Sequence, residues 1–371
     1  MKRILFLRSN PIDPDPRVEK EAMALAEAGY EVRVLGWDRT ANLPRVEVKP
    51  FGLVERIPLR ARFGSGLGNL PALLRFQVAL ASYLVRQRRS YDVIHACDFD
   101  TALTAFLLSR LLGKRVVYDV FDFYAEMLRK TPAWLREVVR FVDLRLMGRV
   151  DALIIADDAR KEQIRGARPK RLVVIYNSPD IPSLPPLPED PPPLRIAYVG
   201  LLQVERGILE VLKVLKRHPE WELDLAGFGG DEALILEKAK GMPNVRFHGR
   251  VSYEKALELM AGAHVLFATY DPAIPNHRYS SANKLFEAMA LGKPILVARG
   301  TGMDRIVERK KTGFVVNYGN LDELERALEE VFSWTREKRE EFSRHSRQVY
   351  ESEFSWSAGR RRLWELYKIF D

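Results

Sequence analysis

The chain predicts two α/β domains, each a parallel sheet covered on both faces by helices, and three observations carry that reading. Short apolar runs alternate with amphipathic segments along its whole length, the pattern of βα units whose strands are buried on both sides. Eight prolines fall within the fifteen residues from Pro179 to Pro193. Proline fixes φ and lacks a backbone donor, which excludes helix and central strand there and leaves an extended spacer. A length of 371 residues suits two cores of ordinary size.

In the first half, strands are expected at 3–7, 31–35, 92–96, 115–119 and 152–156, with helices at 16–29 and from 101 onward. In the second, strands are expected at 195–199, 222–226, 245–248, 265–268 and 295–298. The helices there are placed at 207–216, at 253–261 and in a segment opening at 281. The domains are accordingly 1–180 and 194–352, joined by the Pro-rich linker 181–193. The tail 353–371 is amphipathic, with apolar residues at 363, 366, 367 and 370 in helical spacing. Ligands of such sheets gather at the carboxyl ends of the strands, where the strand order reverses.

An apolar content of 47% with 29% charged residues describes a globular protein. No run approaches the roughly 18 apolar residues of a membrane span, and residues 1–8 read as a buried strand rather than a signal peptide. The single cysteine, Cys97, excludes an internal disulfide and fits a reducing compartment, so the expected location is cytoplasmic.

The net charge of +9 is unevenly placed: residues 1–180 hold 31 Lys/Arg against 22 Asp/Glu, and the remainder holds 28 of each. From Arg56 to Arg89 there are seven arginines and no acid, among them Arg56, Arg60, Arg62, Arg75, Arg86, Arg88 and Arg89. Such a stretch is either a solvated surface or a patch for anionic lipid, a phosphorylated substrate or nucleic acid. No nucleic-acid motif accompanies it, so nucleic acid is not an expected partner. An anionic membrane surface or a phosphorylated or lipid-linked substrate is, at the inner face of the membrane.

The segment Ser281-Ala-Asn283-Lys284-Leu-Phe-Glu287-Ala-Met-Ala-Leu-Gly292-Lys-Pro opens a helix and stops it before a strand. Free N–H groups and the dipole make a helix start an anion site; Lys284 adds a full charge, and Glu287 can accept from a pair of hydroxyls. An ordinary capped helix is the plainer alternative. Gly200-Leu201-Leu-Gln-Val-Glu-Arg206-Gly207 also joins a strand to a helix; Gly200 permits close backbone approach and Arg206 can fork onto phosphate oxygens. Gly227-Phe-Gly229-Gly230 lacks the third glycine of a dinucleotide fingerprint, which argues against NAD, and no cofactor is expected. Asp98 and Asp100 resemble a metal-holding acidic pair, but two acids near a helix start are more often caps, and the six histidines lack metal spacing. No metal is expected. Arg17 can hold an acceptor phosphate or pair with Glu21, four residues on. Asp122, at a strand's carboxyl end, is the candidate catalytic residue, with His95 the alternative.

Together with Asp15-Pro-Arg17-Val-Glu-Lys-Glu-Ala, Gly29-Tyr-Glu-Val32, Asp92-Val-Ile-His95 and Val174-Ile-Tyr-Asn177, these motifs resemble the retaining GT-B glycosyltransferases of the group 1, family 4 type. The resemblance runs over nearly the whole chain. It implies two Rossmann-like domains facing across a cleft, and a final helix that returns to the first domain. It implies a UDP- or GDP-sugar donor held by Gly200, Arg206, Gly227, Arg250, Val251, Ser281, Asn283, Lys284 and Glu287. The acceptor then falls to the first half, with Arg17, Arg86, Arg88 and Arg89 on its side. Three positions depart from the family pattern: Leu201 replaces a cation, Tyr279 replaces a second Glu, and Phe121 replaces a common His. The expected function is transfer of a sugar, with retention, to an anionic or lipid-linked glycan. The alternatives are a nucleotide-sugar epimerase of the same fold or a homologue that binds nucleotide without catalysis.

Overall fold

In a computed structural model, residues 2–61, 69–128, 131–279 and 282–370 are described, and they form two compact units. Unit 1 comprises Met1–Tyr176 with Gly359–Asp371; unit 2 is Asn177–Ala358.

The sheet of unit 1 contains β1 (Arg3–Arg8), β2 (Glu31–Asp38), β3 (Val46–Lys49), β4 (Gly52–Pro58), β5 (Val93–Cys97), β6 (Arg115–Val120), β7 (Ala152–Ile155) and β8 (Leu172–Val174). Their order is β3-β4-β2-β1-β5-β6-β7-β8, parallel throughout except for the antiparallel β3–β4 pair. Unit 2 contains β9 (Arg195–Leu201), β10 (Glu222–Phe228), β11 (Val245–Phe247), β12 (Val265–Ala268), β13 (Ile295–Ala298) and β14 (Gly313–Val316), in the order β11-β10-β9-β12-β13-β14, all parallel. The order reverses beside β1 in unit 1 and beside β9 in unit 2, so these are the crevices at which each sheet can take a ligand.

Local chemistry explains the element starts. Asp15 caps the helix Pro16–Glu27 by accepting from the Val18 N–H at 3.3 Å, and Pro16 occupies the first turn, where its missing donor costs nothing. The helix Leu70–Arg86, which the apolar pattern of the first half left unassigned, buries Phe76, Leu80 and Leu84 at four-residue spacing. Leu70, Leu74, Val78 and Val85 remain exposed on it.

Residues 179–193 carry no helix or strand, as the prolines require, but they are not a free spacer. The hydroxyl of Tyr350 donates to Pro179 O at 2.8 Å, Arg347 donates to Ile181 O and Pro182 O, and Arg339 pairs with Asp190 at 2.6 Å. The segment is thereby strapped to the helix Arg336–Val349 of unit 2 and its continuation.

One core cation of unit 2 stands out. Lys293 is 2% exposed and its Nζ has no hydrogen-bond partner. Burial brings its pKa down to about 7, with Arg195 adding repulsion. Stability is complete above the unfolded value of 10.5 and is lost as the pH falls toward 7. Lys293→Met is therefore expected to gain about 2 kcal/mol near pH 7 and nothing above pH ~10.5. Urea unfolding at the two pH values checks this.

Candidate functional site

In unit 2 the carboxyl ends of β9, β10 and β12 converge. The helix Asn283–Ala290 starts there, with Lys284 and Glu287 buried to within 9% exposure on its inner face. Lys284 Nζ sits 4.3 Å from the centre of the Tyr198 ring, and a Cβ at Gly200 would collide with it. The lysine end could shift to make room, but Gly200 also has φ +152°, a backbone conformation that other residues rarely adopt. Desolvation opposes the charge on Lys284, yet Tyr198, Tyr270 and Glu287 outweigh it and raise its pKa, so the group is cationic.

Arg206 ends a 3-10 turn, Val204–Arg206, and lies 4.1 Å above the Tyr270 ring, just past β12. Two cations therefore stand on aromatic faces beside the β9/β12 reversal. The following Gly207 has φ +75°, and a side chain there would strike Thr269. The Thr269 Oγ1 is buried without a partner and borders this corner.

Gly227 plays a different part from the one expected. A Cβ on it would overlap the carbonyl of Gly200, so it permits the close pairing of β9 with β10 rather than the approach of a ligand. Its N–H donates to Gly249 O at 2.8 Å, which pins the loop carrying Arg250 and Val251 to the end of β10. Arg250 is exposed and covers the Phe228 ring at 4.7 Å; Val251 is half-buried. The side-chain oxygen of Asn283 accepts from Asn177 at 3.0 Å. Ser281 lies outside the described residues. Tyr253 has no role in the sequence reading, yet its hydroxyl hydrogen-bonds Glu287, and burial and that carboxylate together raise its pKa. Only its place three residues past Arg250, at the start of the helix Tyr253–Gly262, hinted at it.

Unit 1 corrects several expectations. His95 is fully buried: its Nδ1 meets the Tyr367 hydroxyl at 2.7 Å, its Nε2 lies 3.3 Å from Glu21 and 3.6 Å from Asp119, and its ring stacks on Phe6. Burial holds the imidazole below its usual pKa, hence neutral. It has no exposed face for a substrate, so it is a structural residue and not the catalytic one expected.

Arg17 is equally committed. Its Nε and Nη2 fork onto Asp119 at 3.1 and 2.9 Å, Nη2 also meets Glu21 at 3.2 Å, and Nη1 donates to Ile175 O at 2.8 Å. It braces the sheet and has nothing left for an acceptor phosphate. Glu21, His95 and Asp119 bring ligand atoms within 4.8 Å of one another, the one metal-like grouping among the described residues, and the Arg17 guanidinium already supplies its positive charge.

Asp98 caps nothing with its side chain. It ion-pairs with Arg8 and accepts from the Phe121 N–H at 2.9 Å, holding the turn after β6. Burial pushes its carboxyl up to about 6 against the pull of Arg8. Phe121 is clasped between the guanidinium groups of Arg8 and Arg17, at 4.2 and 4.8 Å. Asp122 follows on the same turn with its side chain 46% exposed, oriented by the buried Arg160 at 2.8 Å. Of the two catalytic candidates, it alone faces solvent at a strand's carboxyl end.

Arg86, Arg88 and Arg89 are exposed, but they lie at the far end of Leu70–Arg86, beside the amino edge of the sheet; Arg3, which begins β1, donates to Arg89 O. A 17-residue helix separates them by about 25 Å from the carboxyl edge. They cannot touch the reacting end of an acceptor, and spacing along the chain could not show which edge they occupy. Arg56, counted with them, is buried against Glu47 and three carbonyls, and Arg62 is outside the described residues.

Residues 184–349 match the family described as Glycosyl transferases group 1, and residues 14–178 match the Glycosyl transferase 4-like domain. The chain belongs to the group 1 glycosyltransferases. Glycogen synthase of Mycobacterium tuberculosis is 25% identical over 90% of this chain and 85% of its own length. Sucrose-phosphate synthase from Thermosynechococcus elongatus superposes with a TM-score of 0.79 at 18% identity, over 99% of both chains. Anabaena Alr3699/HepE in complex with UDP and glucose gives 0.71 at 17%, over the whole of both. These structures share the GT-B fold with the two parallel-sheet units.

Proposed function

We propose that this group 1 transferase moves a sugar from a nucleoside-diphosphate donor, held by unit 2, to an anionic or lipid-linked glycan held by unit 1, with retention at the anomeric carbon. The observation that carries the donor assignment is the pair Lys284 and Arg206, set on Tyr198 and Tyr270 beside the strand reversal and next to a helix start. When the glycosidic bond of such a donor breaks, charge builds on the diphosphate. Fixed cations and helix N–H groups stabilise that charge more than they stabilise the intact donor, and this difference is what lowers the barrier. Glu287 with Tyr253 offers a carboxylate to the ribose hydroxyls. A departing phosphate oxygen can take the acceptor proton on the face it leaves, which suits retention, and Asp122 can orient the acceptor hydroxyl. The UDP complex of HepE favours UDP as the first nucleotide to try. The acceptor assignment rests on the excess of positive charge in the first half.

Thermal shift with UDP, GDP and their common sugar conjugates tests the reading, with Glu287→Ala alongside. A shift specific to one conjugate and lost in the variant is the expected result. Binding of nucleotide without turnover would make the chain a non-catalytic homologue, in line with Leu201 and Tyr279. Isomerisation of the sugar without acceptor would make it an epimerase.

A further inference from the structure

Unit 1 has a cavity of about 420 Å³ that the donor chemistry does not use, within the size range of ligand pockets. Its walls are Trp37, Leu73, Leu103, Leu135 and Val139, drawn from β2 and from the helices Leu70–Arg86, Phe99–Leu112 and Ala133–Met147. Where these helices meet the carboxyl edge of the sheet, the lining turns polar. Asp100 follows β5 and Arg39 follows β2; Gln77 donates to Asp100 O at 2.7 Å and accepts from Thr104 at 2.5 Å. The Asp100 Oδ1 is buried with no hydrogen-bond partner. On the outer side, two wall helices expose Leu70, Leu74 and Val78, and Trp134, Val138 and Phe141, with the exposed Arg75, Glu137 and Arg145 among them.

We infer that this cavity takes the hydrocarbon chain of a membrane-borne acceptor, with a phosphate of its head at Arg39 and a head-group O–H, other than the reacting one, donating to Asp100. The inference rests on the transferase reading above and names its substrate class. An apolar slot with a polar mouth at the carboxyl edge matches an amphiphile, chain inside and head toward the strand ends. The apolar and arginine side chains outside match the bilayer surface that would deliver it.

The test uses the intact protein and alkyl monophosphates from butyl to dodecyl, below micelle formation, with displacement of a fluorescent fatty probe as readout. Each added methylene is worth about 0.8 kcal/mol, so Kd is expected to tighten about fourfold per carbon until the cavity is full. Leu103→Trp fills the cavity and is expected to weaken dodecyl phosphate at least tenfold; Val139→Phe is the second variant should the first not fold. Affinity independent of chain length, or equal to that of inorganic phosphate, overturns the inference. UDP binding measured on the same samples separates the two readings. Nucleotide binding without chain binding removes this inference alone, and chain binding without nucleotide binding removes the transferase reading.

Discussion

Lys284→Met is expected to lower kcat/KM for sugar transfer by about 10²–10³ while leaving the protein folded. The thioether chain matches the lysine in length and still packs on Tyr198 at the Gly200 corner, so the change removes charge and little else. Lys284 is buried beside tyrosines that favour its ammonium form, and a fixed, desolvated cation acts on developing phosphate charge more strongly than one in water. The loss should fall mainly on kcat, because charge on the diphosphate is greatest as the bond breaks. Arg206→Met should act in the same direction with smaller effect, since Arg206 is only part-buried. Steady-state kinetics with the conjugate found by thermal shift decides it; an unchanged kcat in Lys284→Met would remove the lysine from the site.

The largest loss of stability is expected from Arg17→Met, about 3–5 kcal/mol, which lowers the unfolding midpoint by about 6–20 °C. The substitution keeps the bulk but strands two carboxyl groups, Asp119 and Glu21, in a fully buried site. Burial works against the Asp119 charge, yet Arg17 and His95 hold its carboxyl below the usual range. Glu21, pushed well up by burial and then by Asp119, keeps its proton. The sign of the pH dependence follows. Stability from protonated Glu21 is complete below the ordinary 4.5 and drains as the pH rises through its raised value, so Glu21→Gln should flatten the alkaline limb. Chemical unfolding of wild type and both variants from pH 5 to 9 measures both effects. A shift for Arg17→Met below 1 kcal/mol would show that the network contributes little.

Strand and helix alternation was legible because a doubly covered parallel strand is a short apolar run, and every strand the sequence predicts has its counterpart in β1, β2, β5–β7 and β9–β13. What the pattern missed had weaker signatures. The antiparallel β3–β4 ribbon mixes Glu and Arg into half-exposed strands, and Leu70–Arg86 is apolar around most of its circumference. In unit 2, Lys284, Arg206 and Gly200 could be singled out because each lies near a helix start or strand end that sequence order marks, with Glu287 three residues after Lys284. Tyr198, Tyr270 and Thr269 could not, since their place depends on which strands lie side by side. Arg17 and His95 misled for the same reason: sequence shows a charged or titratable group at a strand end but not the Asp119, Glu21 and Tyr367 that enclose it.

Tyr367 also bears on the order in which the protein can be built. Its hydroxyl completes His95, Trp364 donates to Ala24 O at 2.6 Å, and Arg362 donates to Val174 O at 3.3 Å. All three partners lie in the first 176 residues and all three donors in the last ten. Unit 2, being one continuous stretch, can acquire every contact it needs while still on the ribosome. Unit 1 emerges first yet is not closed until residues 362–367 have followed the whole of unit 2, and through that interval the newborn chain carries an open seam along its early strands.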